Sequence, residues 1–104
     1  MAIYKKKRPE RPPTHPGAIL KRLWLDELGY SQSQFADALV EASTKAVKKS
    51  TMQTKLNELI NEKRSMTADF AVLISMVLDT SPKMWMSLQT NLDIWKAEKK
   101  IEVA

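Results

Sequence analysis

The side chains able to do chemistry fall into two unequal sets. The only histidine, His15, sits in the run Thr14-His15-Pro16-Gly17, with no serine, carboxylate or metal-ligating neighbour beside it. An imidazole without a nucleophile or an orienting partner has no catalytic geometry to join, so His15 reads most simply as a helix-capping residue. Asp26 and Glu27 are adjacent, and a helix turns adjacent residues to different sides, which makes them solvated charge rather than a paired acid and base. The chain has no cysteine and no glycine-rich phosphate loop, hence neither a thiolate metal site nor a nucleotide cradle. An enzyme is not expected, and neither is a metal or a cofactor.

The second set is denser. From Ala42 to Asn57 no acidic residue occurs, while Lys45, Lys48, Lys49 and Lys55 share the segment with Ser50, Thr51, Gln53, Thr54 and Asn57. Ammonium groups neutralise phosphates, and amides and hydroxyls hydrogen-bond base edges. The whole chain leans the same way: 17 Lys+Arg against 12 Asp+Glu give a formal net charge of +5 and a pI near 9.6, which favours an anionic partner, nucleic acid first. A solvated helix face has a similar composition. Position relative to the helix starts favours DNA.

The elements that must hold these residues follow from length and periodicity. With 104 residues, 43% hydrophobic and 28% charged, the chain is sized for one domain with one core. The absence of cysteine fits a reducing, cytoplasmic setting, and neither a membrane helix nor a signal peptide is expected from the apolar runs. Residues 1–14 carry Lys5, Lys6, Lys7, Arg8 and Arg11 with Pro9, Pro12 and Pro13, a basic extended arm. A domain over 15–98 and a short tail over 99–104 follow it.

Helical spacing throughout predicts an all-α fold of five helices. The first opens at Pro16, buries Ile19, Leu20, Leu23, Trp24 and Leu28, and ends at Gly29 in a left-handed cap. Ser31-Gln32-Ser33-Gln34 is a capping box, with Tyr30 and Phe35 placed as a hydrophobic staple. It opens a second helix whose inner face is Phe35, Ala36, Leu39 and Val40, with Ala42, Ser43, Ala46 and Val47 able to extend it. The stripe Met52, Leu56, Leu59, Ile60 defines a third helix over 51–60. Continued backwards, that stripe would bury Lys45, Lys48 and Lys49, so a break is expected at 48–50, where Ser50-Thr51-Met52-Gln53 offers a second capping box. Asn61 is expected as the left-handed cap at its far end. Thr67 caps a fourth helix over 68–78, apolar on nearly every side and expected to be the most buried. Ser81-Pro82 starts a fifth, carrying Trp85, Leu88, Leu92 and Trp95. Trp85 and Leu88 read as core; Leu92 and Trp95, near a charged end, are candidates for a dimer or partner interface.

The runs Arg11-Pro-Pro-Thr-His-Pro-Gly17, Leu28-Gly-Tyr-Ser-Gln-Ser-Gln-Phe-Ala36, Leu56-Asn-Glu-Leu-Ile-Asn-Glu-Lys-Arg64, Met66-Thr-Ala-Asp69, Ser81-Pro-Lys-Met-Trp-Met-Ser-Leu-Gln89 and Asp93-Ile-Trp95 together resemble the HigA antitoxin family. These are antidote proteins of toxin–antitoxin addiction modules with a phage-repressor-like helix-turn-helix. The resemblance spans Arg11 to Lys96. It implies a five-helix fold, a homodimer, binding to double-stranded operator DNA with repression of the module's own operon, and neutralisation of a HigB-type mRNA-cleaving toxin. By motif it assigns Gln32, Gln53, Thr54 and Lys55 to DNA contact and Lys63 and Arg64 to the phosphate backbone. A two-fold dimer is also what a helix-turn-helix needs to span two half-sites.

Two departures from that pattern bear on function. Between Leu39 and Ser50 the chain carries about ten residues more than the pattern, an insertion between helices 2 and 3 that either adds phosphate contacts or displaces the third helix. Glu62 stands where a glycine is usual, which assigns the cap to Asn61, and Glu58 would repel phosphate if it faced DNA. Two alternatives stay open: a solitary transcriptional regulator, and a helical protein-interaction module whose insertion impairs DNA binding.

Overall fold

The computed structural model describes residues 10–102. All its regular elements are helical: α1 over 16–28, α2 Gln32–Ala42, α3 Lys49–Ile60, α4 Ala68–Leu78 and α5 Pro82–Glu102. Most of the arm expected over 1–14 lies outside the described residues, and residues 10–14 are non-helical. The chain continues as helix past the expected boundary at 98. Lys99 and Lys100 in that last turn suit the negative end of the helix dipole, so 99–102 is helix rather than tail.

α1 begins as expected and then departs from its expected register. Pro16 occupies the first turn, and the Gly17 N–H donates to Nδ1 of His15 at 2.9 Å, the capping role read from the sequence. From Leu20 to Leu25 the helix widens to π geometry before closing as Asp26–Leu28. A π turn spaces same-face residues by about five rather than three or four. The inner positions therefore become Leu20 and Leu25, both buried, whereas Leu23 and Leu28 are 59% and 58% exposed. On the outer face the same spacing brings Lys21 and Asp26 together at 3.2 Å.

Leu20 and Leu25 join Phe35, Ala36 and Leu39 of α2, Met52, Leu56, Leu59 and Ile60 of α3, Phe70, Ala71 and Ile74 of α4, and Trp85 of α5 in one core. Trp24 packs tilted against Trp85 with ring centroids 6.4 Å apart. Gln89, buried on α5, accepts the Met66 N–H at 2.8 Å and fixes the chain ahead of α4. The α4 start holds as read, with the Phe70 N–H donating to Thr67 Oγ1 at 3.3 Å. α4 is not covered on every side, however: Val72 and Met76 are 46% and 62% exposed. Its inner face is already filled by α2 and α5, which leaves those two side chains outward.

Four helix ends share one device. At Gly29, Thr44, Glu62 and Asp79 the backbone turns left-handed. The next residue's N–H then reaches back to a carbonyl five residues earlier: Tyr30 to Leu25, Lys45 to Val40, Lys63 to Glu58 and Thr80 to Ser75. These are Schellman closures, and only the first has the glycine that makes them visible in a sequence. Asn61 is thus not the left-handed residue; its φ is −86° and Glu62 carries the turn at φ 62°. α2 correspondingly stops at Ala42, and Ala46 and Val47 do not extend it.

Candidate nucleic-acid interface

The start of α2 is built as its sequence states. Ser31 Oγ accepts the Gln34 N–H at 3.0 Å, and the Ser31 N–H donates to Gln34 Oε1 at 3.0 Å. The Tyr30 and Phe35 rings meet edge to face at 5.5 Å, closing the staple. This projects Gln32 and Ser33 from the first turn of α2.

α3 starts differently. It begins at Lys49, with Lys48 at the cap position and no side chain bonding its free N–H groups. The second capping box does not form, because Ser50–Gln53 already lies inside the helix. The Thr54 hydroxyl instead donates back to the Ser50 carbonyl at 3.0 Å. Burial of Met52, Leu56, Leu59 and Ile60 sets the helix in place, and Lys49 Nζ meets Asp37 of α2 at 2.8 Å.

The 43–48 connection returns the chain so that α3 lies against the α2 start. The Asn57 amide donates to Gln32 Oε1 at 3.3 Å, and the Gln53 amide to Ser33 Oγ at 3.5 Å. Gln32, Ser33, Ser50, Gln53, Thr54, Asn57, Glu58 and Lys63 line one open concavity. Its amides and hydroxyls are the groups that read base edges. On the other flank of α3, Ser50, Thr51, Thr54, Lys55 and Arg64 line a second, shallower hollow. Ser33 is the member missed from sequence; its place one residue after Gln32 in a first helical turn was the available signal.

The basic residues divide into paired and unpaired. Lys49 is tied to Asp37, Lys45 lies 3.8 Å from Glu41, and Arg64 places Nε and an Nη on Glu58 Oε1 at 3.0 and 2.8 Å. Glu58 is thereby neutralised rather than left to repel a phosphate. Lys48, Lys55 and Lys63 make no ion pair among the described residues, and they stand at the α3 start, along its flank and just past its end. At the C-terminal end of the molecule Leu92 is buried within the chain, at 4% exposure. That removes it from the expected interface pair, since α5 turns it onto the domain's own core side. Trp95 is half-buried, with Lys99 Nζ 5.9 Å from its ring centre.

No protein-family profile matches the chain. Solved structures do: antitoxin GraA is 34% identical with a TM-score of 0.70, covering 86% of each chain. The Pseudomonas aeruginosa antitoxin HigA, solved with the higBA promoter, is 33% identical with a TM-score of 0.69, covering 86% of this chain and 91% of that one. This chain belongs to the HigA-like family of helix-turn-helix antitoxins. Among sequences, the uncharacterized HTH-type transcriptional regulator YddM of Escherichia coli strain K12 is 33% identical over 89 residues, covering 86% of this chain and 83% of the relative. HigA-like proteins of this kind are regulators and antitoxins, not enzymes. α2 and α3 are the consecutive helices of the helix-turn-helix; in that motif generally the second is called the recognition helix. No described helix is long and apolar enough to cross a membrane.

Proposed function

We propose that this chain is a sequence-specific DNA-binding antitoxin that acts as a cytoplasmic homodimer, represses its own operon and neutralises a HigB-type mRNA-cleaving toxin. The observation that carries the DNA-binding part is the juxtaposition of Gln32 and Ser33 with Gln53 and Asn57, flanked by the unpaired Lys48, Lys55 and Lys63. Polar amides in the middle and unpaired cations around them match base reading framed by phosphate contact. Ser50, Thr51 and Thr54 extend the reading face; Lys49 contributes after exchanging Asp37 for phosphate, while Arg64 stays on Glu58 and cancels that carboxylate's repulsion. Support for the DNA partner comes from relatives solved with promoter or operator DNA. Of the two residues expected at a dimer or partner interface, Trp95 is the one left to serve it.

The DNA part is tested by two kinds of variant. Gln53→Ala and Asn57→Ala should each relax discrimination at one base position, at a cost of about 1–3 kcal/mol on the preferred site. Lys48→Gln and Lys55→Gln should weaken all duplexes alike, each lowering the salt slope by about 0.9. Uniform losses from all four variants would contradict base reading. The toxin part is tested by mixing the protein with a HigB-type ribonuclease: a stable complex that no longer cleaves mRNA is expected, and undiminished cleavage would contradict it.

A further inference from the structure

Outside the helix-turn-helix, the segment His15-Pro16-Gly17 is built more tightly than an ordinary helix start requires. His15 is buried, at 6% exposure. Its Nδ1 accepts the Gly17 N–H at 2.9 Å, so the ring's single proton resides on Nε2. The main chain of Arg64 acts on the ring as a neighbouring hydrogen-bonding group, and a carbonyl is the only main-chain group that can accept the Nε2–H. Gly17 lies directly on the last turn of the recognition helix: a Cβ added there would fall onto the Leu59 carbonyl. One end of this unit therefore grips α3 at Leu59 and the other grips the chain just beyond it at Arg64. Between them lie Glu62, in the left-handed conformation, and the phosphate candidate Lys63.

We infer that His15 and Gly17 are positioning residues for DNA binding, clamping the end of the recognition helix so that Lys63 and the neighbouring backbone are held in the geometry that meets the duplex. The inference rests on the DNA-binding reading above. The clamp works only with a neutral imidazole, because a proton on Nδ1 would set two donors against each other at the Gly17 N–H.

Burial holds the His15 pKa below its ordinary value of 6.5. The charged groups facing the ring act in both directions. Glu62 beyond α3 and Asp93 on α5 favour protonation, Lys96 on α5 opposes it, and the Arg64 main chain favours it. Because the folded chain resists protonation more than the unfolded chain, the clamp's contribution is whole above about pH 6.5 and is lost as the pH falls through the depressed folded value.

The test uses the full chain and reads two things. Amide-exchange protection at Lys63, whose N–H bonds the Glu58 carbonyl at 2.8 Å, is measured from about pH 7.5 to 5. Operator affinity is measured over the same range. In the wild type both should fall together with falling pH. His15→Asn keeps an acceptor for the Gly17 N–H but does not titrate, and both readouts should be flat with pH. Gly17→Ala should lower Lys63 protection at every pH and weaken operator binding about tenfold, on the scale of one mismatched base pair. If Gly17→Ala does not fold, the comparison of wild type with His15→Asn decides alone. Identical pH profiles for those two proteins would overturn the inference. If no duplex is bound at any pH, the DNA-binding reading fails; unequal protection profiles would then retain the clamp as a structural element, and equal ones would remove it too.

Discussion

The two helices of the helix-turn-helix begin in opposite ways. α2 starts on a reciprocal capping box and an aromatic staple, all within six residues of sequence. α3 starts on an uncapped lysine after a connection that puts Thr44 and Lys45 in the left-handed region at φ 55° and 61°. Each such non-glycine residue costs about 1 kcal/mol or more. One helix is thus specified locally, and the other is held by what it buries. The difference suits their proposed roles: α2 is scaffold, while the α3 start keeps free N–H groups and lysines facing the side where a phosphate would come.

That contrast can be broken from its largest effect downwards. Leu56→Ala, which removes a fully buried anchor of α3, should lower unfolding free energy by about 2–5 kcal/mol in urea titrations. A smaller loss would mean that α3 does not depend on core burial. Ser31→Ala should cost about 1 kcal/mol, with early loss of amide protection confined to the first turn of α2. Lys48→Ser supplies the absent cap and should raise stability by about 0.5–1 kcal/mol, while lowering the salt slope of duplex binding by about 0.9. A gain in both stability and affinity would contradict the role assigned to Lys48. Asp37→Asn should change stability by less than about 0.5 kcal/mol, since the side chains of its ion pair with Lys49 are 57% and 44% exposed. Its useful effect is to free Lys49, and duplex affinity at low salt should rise.

The same division explains how much the sequence disclosed. The five helices, the capping box at Ser31, the cap at Thr67, the His15 cap and the Trp85 core position are local or strongly periodic, and each is present as read. The register of α1 is not local. Counting by threes and fours selects Leu23 and Leu28, and only the π turn, set by packing, exchanges them for Leu25. The helix ends after α2, α3 and α4 were obscure because threonine, glutamate and aspartate occupy left-handed positions that glycine would advertise. Ser50-Thr51-Met52-Gln53 has the letters of a capping box but lies within a helix already begun, since Met52 and Leu56 draw the preceding turn onto the core. For the candidate site, residue types and position singled out Gln32, Gln53, Thr54 and Asn57, which the fold brings to one concavity. The pairings that silence Lys49 and Arg64 depend on Asp37 and Glu58, which no spacing rule connected to them. Leu92 reads as interface from its nearness to the charged residues Lys96, Glu98, Lys99 and Lys100, and its burial is a tertiary fact.

Most directly, the central claim is tested by titrating the protein with the DNA upstream of its own coding region and with a scrambled duplex of equal length, at two salt concentrations. A preference for the upstream duplex of about a thousandfold or more is expected, with both affinities falling as salt rises. Equal, weak and strongly salt-dependent binding to the two duplexes would contradict it, leaving the polar face between α2 and α3 without the base-reading role assigned to it.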